Sequence, residues 1–335
     1  MKKIINSKET LIEDMLTGFI KAEGSKVLQS KENTRVLHRR KMLKGKVGIV
    51  TGGGSGHEPL FFGMVGENLV DAVAVGNIFT APTPDTVLGA IQKADQGNGV
   101  ICLFGNYAGD VLNFDMGAEL AEYEGIEVRN LSITDDVASA DKAHKTERRG
   151  IAGNLLVIKE TAAAAAKGYS LNDCYEVGKK ANERTFSIGV GIQPGTNPLN
   201  GKKNFDLKVD EIEFGLGIHG EPGLAKMKLI PAKDLVAKMY MCLSKEFMEY
   251  SEKNVIVYIN GLGATTMMEL YTITKEIHQL LEGTGYCIHD TVVGNICTTQ
   301  EMAGFSITIQ VLDEELEELY QMEAYSSCYY QKGEL

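Results

Sequence analysis

The chain has 335 residues, of which 44% are hydrophobic and 24% charged, and its formal net charge is −11. That length favours two domains with a core each, and the composition is that of an ordinary globular protein. The acidic balance excludes a nucleic-acid surface, which needs clustered Lys and Arg to displace counterions, and no apolar run approaches the ~18 residues of a membrane span.

The first residues, MKKIINSKETLIEDML, are too acidic and too broken by polar side chains for a secretion signal. Six cysteines are scattered without any Cys-x-x-Cys spacing, three of them in apolar runs, as expected of reduced thiols in a cytoplasmic protein. The basic cluster His38–Arg39–Arg40–Lys41, with Lys44 and Lys46, reads as a solvated helix end or loop.

Beyond it, short apolar runs alternate with helical patterns. Strands are predicted at Val47–Thr51, Ala72–Gly76, Gly99–Phe104 and Val128–Ile133, with helices at Thr83–Asp95, Asp110–Tyr123 and Asn154–Lys167. The last of these carries the run Ala162–Ala166, and Ala is the best helix former. A second set begins near Ser187. Its strands are Ser187–Ile192, Glu211–Ile218, Val255–Ile259, Tyr286–Val293 and Ser306–Leu312, with helices at Ala232–Tyr250 and Thr266–Leu281 and a loop at Gln193–Phe205. The pattern predicts two α/β domains, residues 1–185 and 186–335, each a mixed, largely parallel sheet flanked by helices.

Three strand ends are rich in glycine and polar residues: TGGGSGHEP from Thr51, GNYAGD from Gly105 and GIHGEPG from Gly217. Carboxyl ends of strands in open α/β sheets are where loops converge on ligands. Glycine after a strand often only makes a tight turn, and Asp110 at a helix start has the position of an N-cap. The functional reading rests on repetition, since His57, Asp110 and His219 each follow a glycine-bearing turn. Gly215, Gly217 and Gly220 satisfy G-x-G-x-x-G, but Pro222 and Gly223 make a poor opening for the helix a dinucleotide site requires, and no Walker motif is present.

Taken together, GGGSGHEP, NYAGDVLNF, RRGIAG, GLGIHGEPG, NGLGAT and MAGFSIT resemble, in order, the blocks of the dihydroxyacetone-binding K subunits of bacterial dihydroxyacetone kinases, from about Gly45 to Tyr320. The resemblance implies a cytoplasmic homodimer without a cofactor, a metal, direct nucleic-acid contact or a membrane. It also implies that His219 adds to the ketone of dihydroxyacetone as a covalent hemiaminal. His57 and Asp110 would bind the substrate hydroxyl and assist its deprotonation, with Gly54, Ser55, Gly56 and Gly105 around the same ligand. The chemistry suits a triose, which has too few atoms for tight binding by contacts alone.

One departure stands out. The kinase subunits carry a lysine before the Asn-Tyr of the NYAGD block, and here that position is Gly105. Positive charge and positioning make up most of phosphoryl-transfer catalysis, so its loss should harm transfer more than hemiaminal formation. NLLVIKETAAAAA, NICTTQEMAGFS and the C-terminal tail also drift from the kinase pattern. The resemblance therefore extends to a non-kinase paralogue, a dihydroxyacetone-sensing co-activator that binds a TetR-like regulator. The alternative is the kinase subunit itself, receiving phosphate from an ADP-bearing partner subunit L, and a carbonyl-binding enzyme of another kind is a third.

Overall fold

A computed structural model describes residues 2–333. The chain opens with helix α1 (Leu11–Glu23) and strands β1 (Val27–Gln29) and β2 (Val36–Arg39). There follow β3 (Gly48–Ser55), β4 (Ala72–Ile78), α2 (Pro84–Ala94), β5 (Val100–Gly105), α3 (Ala108–Tyr123) and β6 (Val128–Ile133). These strands form one six-stranded sheet, ordered β1-β2-β4-β3-β5-β6. Pairs β4–β3, β3–β5 and β5–β6 are parallel, because a helix or long crossover returns the chain between them.

From β3 the chain passes to β4 on one side and later to β5 on the other. The strand order therefore switches between β3 and β5, where the two carboxyl ends leave a crevice. The loops Gly52–Pro59 and Gly105–Asp110 both open into it.

Helices α4 (Asn154–Ala166) and α5 (Leu171–Glu183) lead to the second sheet. Its elements are β7 (Thr185–Gln193), β8 (Glu211–Phe214), β9 (Ala225–Lys228), α6 (Ala232–Phe247), β10 (Asn254–Gly261), α7 (Met267–Gly283), β11 (Cys287–Gly294) and β12 (Ala303–Val311), with strand order β11-β10-β12-β7-β8-β9. Only β10–β11, the pair joined by a helix, is parallel. The other pairings are antiparallel, which corrects the expectation of a largely parallel second sheet. The reason lies in the connections: β8 and β9, and β11 and β12, are joined by loops rather than by crossover helices.

Helix α4 is buried along its length, including Ala162–Ala165, and lies against α5. Alanine is valuable there for its small size as much as for its helix propensity. One apolar cluster runs from Ile49 and Leu103 through Leu155 and Ile158 to Ile256 and Tyr258, joining both sheets. Buried Arg148 adds a second joint, donating from both terminal nitrogens to Glu246 of α6 at 3.2 and 2.9 Å. After β12 the chain returns to the first half as α8 (Glu314–Gln321) and the hairpin β13–β14 (Ala324–Tyr325, Tyr330–Gln331), where Tyr325 bridges to Glu67. The last segment of the expected 186–335 domain thus packs on the other half.

The basic cluster is also corrected. Arg39 closes β2 and Lys46 precedes β3, and both are buried on Asp71, at 3.2 and 2.5 Å. The strand expected at Glu211–Ile218 stops at Phe214, since Gly215 takes φ +85° and turns the chain into the loop that carries His219.

Candidate ligand-binding site

The crevice between β3 and β5 is closed from the far side by the Gly215–Gly223 loop of the second half. Arg149 holds that loop, donating from Nε to Asp136 at 2.9 Å and from its guanidinium to the Gly215 carbonyl at 3.3 Å. A Cβ on Gly217 would lie 2.3 Å from Glu221 Oε2 and 2.6 Å from Arg149 Nη1, so any larger residue there must displace the ends of both side chains. The Thr298 and Gln300 N–H groups donate to the His57 and Gly56 carbonyls, and the Thr299 hydroxyl donates to the Ile218 carbonyl. The segment before β12 thereby fixes both histidine loops to each other.

Gly53, Gly54, His57, Phe61, Gly105, Tyr107, Asp110, Gly150, Asn154, Ile218 and His219 line the resulting cavity. Its volume of about 20 Å³ leaves room for little more than a water molecule, so a larger ligand must also occupy the mouth. A Cβ on Gly54 would sit 2.6 Å from the Thr80 nitrogen, which keeps β3 close to the segment after β4.

His57 is buried, and its Nδ1 lies 2.7 Å from the Thr298 carbonyl. A carbonyl only accepts, so Nδ1 carries the proton and Nε2 presents its lone pair; Nε2 is buried and has no partner. Burial, reinforced by His219, pushes the imidazole down to about 3. His57 is therefore a neutral acceptor. His219 is half-buried, with Nδ1 2.8 Å from Glu221 Oε1, so its Nε2 is likewise the free nitrogen. Burial pushes Glu221 up, but the hydrogen bond and charge of His219 outweigh it and hold the carboxyl at about 2.

Asp110 sits in the first turn of α3, whose N-cap position belongs to Tyr107 without any side-chain cap. Burial raises its carboxyl to about 6, and Oδ1 has no partner. The structure adds two residues that sequence reasoning missed. The Tyr107 hydroxyl is buried without a partner, its ring edge-on to His219 with centroids 4.8 Å apart, and burial pushes its proton loss far upward. Asn154, the first residue of α4, leaves Oδ1 unpaired. Among the described residues, His57 Nε2, Tyr107 OH, Asp110 Oδ1 and Asn154 Oδ1 are thus four unpartnered buried polar atoms around one cavity. Unpaired buried groups cost about 1–3 kcal/mol each. Their concentration here is what a site awaiting a polar ligand requires.

The remaining sequence candidates divide. Gly54 and Gly105 line the cavity; Ser55 donates to the Gly76 carbonyl at 2.8 Å, and the Gly56 N–H donates to Glu58, so both are occupied elsewhere.

Over residues 17–328 the sequence matches the Dak1 domain. The chain belongs to the Dak1 family. The dihydroxyacetone-binding subunit DhaK of the PTS-dependent dihydroxyacetone kinase 2 from Listeria innocua is 42% identical over 320 residues, spanning 95% of this chain and 96% of that protein. The DhaK subunit of the PEP-dependent kinase from Escherichia coli is 35% identical over 339 residues, spanning 94% and 95%. Among solved structures, the dihydroxyacetone kinase operon co-activator Dha-DhaQ superposes with a TM-score of 0.89 at 30% identity, covering 96% of this chain and 98% of its own.

In this Dak1 chain, Gly105 leaves a gap where a side chain would be crowded but not excluded. An added Cβ would meet the Tyr107 ring at 3.2 Å and the Gly150 carbonyl at 3.3 Å. No Lys or Arg is among the residues lining the cavity.

Proposed function

We propose that this Dak1 protein binds dihydroxyacetone as a hemiaminal on His219 and passes the signal to a TetR-like transcription regulator, as a co-activator. The observation that carries the binding step is the pair of free Nε2 atoms on adjacent rings, each set by a hydrogen bond at Nδ1. As the His219 Nε2–C2 bond forms, the carbonyl π bond breaks and its oxygen takes a proton. Asp110, raised to about 6, holds a proton in part of the population at neutral pH and supplies it. The positive charge left on the ring lies against Glu221. His57 Nε2 accepts from a terminal hydroxyl, and Phe61 and Ile218 keep water away. A reversible covalent bond selects ketones over polyols of the same size.

The co-activator role is supported by Gly105 and by the lack of a lining cation, since phosphoryl transfer depends on positive charge at the transferred group. The full-length 42% identity to a kinase binding subunit favours a second reading, phosphoryl acceptance from an ADP-bearing subunit. The test of binding is carbon NMR with dihydroxyacetone labelled at C2. The ketone signal should move to the tetrahedral range on adding protein, and His219→Ala should prevent this. A bound ligand that keeps its ketone signal overturns the covalent reading.

A further inference from the structure

Outside the histidine cavity, the basic cluster borders a second cleft of about 250 Å³. It lies between α1 and the Arg39–Lys41 turn on one side and Val65–Glu67 with the Tyr325–Ser327 hairpin on the other. Among its lining residues is Arg39, which is buried. Arg39 shares the single carboxylate of Asp71 with Lys46, which is also buried. Two buried cations thus share one buried carboxylate, a local excess of positive charge beside the cleft.

The hydrogen bonding agrees. Arg39 donates to Asp71 from Nη1 alone, so the rest of its guanidinium is free of protein acceptors among the described residues. The cleft is also lined by exposed Lys41, by exposed Arg40, which donates from Nε to the Gly24 carbonyl at 3.0 Å, and by Lys26, whose Nζ donates to the Tyr325 hydroxyl and lies 4.2 Å from that ring's centroid. Two carboxylates also line the cleft, Glu23, 3.8 Å from Lys26, and exposed Glu67. Five basic side chains against three carboxylates is a local positive site on a chain whose net charge is −11. The cleft is also roomier than a bare oxyanion needs, yet below the ~300 Å³ of a drug-sized pocket. Arg is suited to two-pronged contact with phosphate oxygens.

We propose that this cleft binds a small phosphate monoester, its phosphate on Arg39, Arg40 and Lys41 and its organic part toward Tyr325. Titration calorimetry of the full chain, in buffer free of phosphate and sulfate, tests this with glycerol 3-phosphate and inorganic phosphate as probes. Saturable binding of the ester is expected, tighter than that of phosphate and weakening as sodium chloride is raised. Replacing both exposed residues, Arg40→Gln with Lys41→Gln, should weaken it about tenfold or more, with only a small loss of thermal stability from the Arg40 contacts to the Gly24 carbonyl. His219→Ala should leave it intact. Absence of saturable binding, binding unchanged in the double variant, or binding lost in His219→Ala would each overturn the proposal.

Discussion

His57 and His219 stand edge to face with ring centres 4.7 Å apart, and each is anchored through Nδ1, one by the Thr298 carbonyl and the other by the Glu221 carboxylate. The anchors differ in charge, and that difference separates the roles. A carbonyl fixes the tautomer of His57 while burial keeps the ring neutral. A carboxylate does the same for His219 and also stabilises any positive charge the ring acquires. The ring proposed to carry charge in a covalent adduct is thus the one with an anion behind it.

Glu221→Gln tests this division. The carboxylate accepts at both oxygens, from Nδ1 and from the His219 backbone N–H at 2.9 Å, so the amide can keep the Nδ1 contact that orients the ring but loses the charge and the backbone hydrogen bond. Hydrogen bonds to charged groups contribute about 1.5–3 kcal/mol, and the half-exposed position of Glu221 favours the lower end. Dihydroxyacetone affinity is expected to fall about tenfold, measured by calorimetry. An unchanged affinity would show that the adduct carries no positive charge.

The pH dependence has two opposed parts. His57 lies at about 3, below its ordinary 6.5, so the unfolded chain takes up a proton first as pH falls. Its contribution to stability is intact above about pH 6.5 and is lost progressively toward pH 3. Asp110 is raised from 3.8 to about 6, so as pH rises the unfolded chain ionises first, and stability falls between about pH 4 and 6. Urea unfolding across this range should show His57→Gln with a shallower acid loss. Asp110→Asn should lack the decline between pH 4 and 6. Parallel curves for wild type and both variants would contradict the burial of these groups.

The joint between the halves is separately testable. Removing one partner of a buried ion pair costs about 3–5 kcal/mol, because the other charge is left uncompensated. Arg148→Ala strands Glu246, with only Lys145, among the described residues, at 3.9 Å to relieve it. A loss of that size in unfolding free energy is expected. The double variant Arg148→Met with Glu246→Leu, which strands no charge, should recover most of it.

How much of this was legible in the sequence depends on distance along the chain. His57, Asp110 and His219 were visible because each follows glycines at a strand end, a local signal. Tyr107 was overlooked although it lies in the quoted GNYAGD loop, since an aromatic beside an apolar strand reads as core. Asn154 was hidden at the head of an alanine-rich helix. Its position directly after the glycine-bearing turn Gly150–Gly153 was the available clue. The burial of Arg39 and Lys46 had no local sign at all, because Asp71 arrives only when β2 and β3 pair with β4. The antiparallel second sheet was missed for the same reason: strand pairing between β12 and β7 joins residues more than a hundred positions apart.

The last prediction concerns Gly105. A lysine there needs no left-handed backbone, and its Cβ asks the Tyr107 ring and the Gly150 carbonyl to yield by a few tenths of an ångström. Gly105→Lys is therefore expected to fold. Wild-type protein mixed with a nucleotide-bearing kinase subunit and dihydroxyacetone should yield little triose phosphate while still forming the adduct. Gly105→Lys should raise the phosphorylation rate, because a cation at the crevice rim favours the transferred phosphoryl group. It should leave adduct formation close to the wild-type level, since the proposed bond formation at C2 uses His219, Glu221 and Asp110 rather than a cation at residue 105. The regulator should bind the wild-type protein more tightly with the triose present, as a ligand shifts an equilibrium only through its differential affinity. Wild-type turnover in the ordinary kinase range of about 1–100 per second would establish the kinase-subunit reading instead.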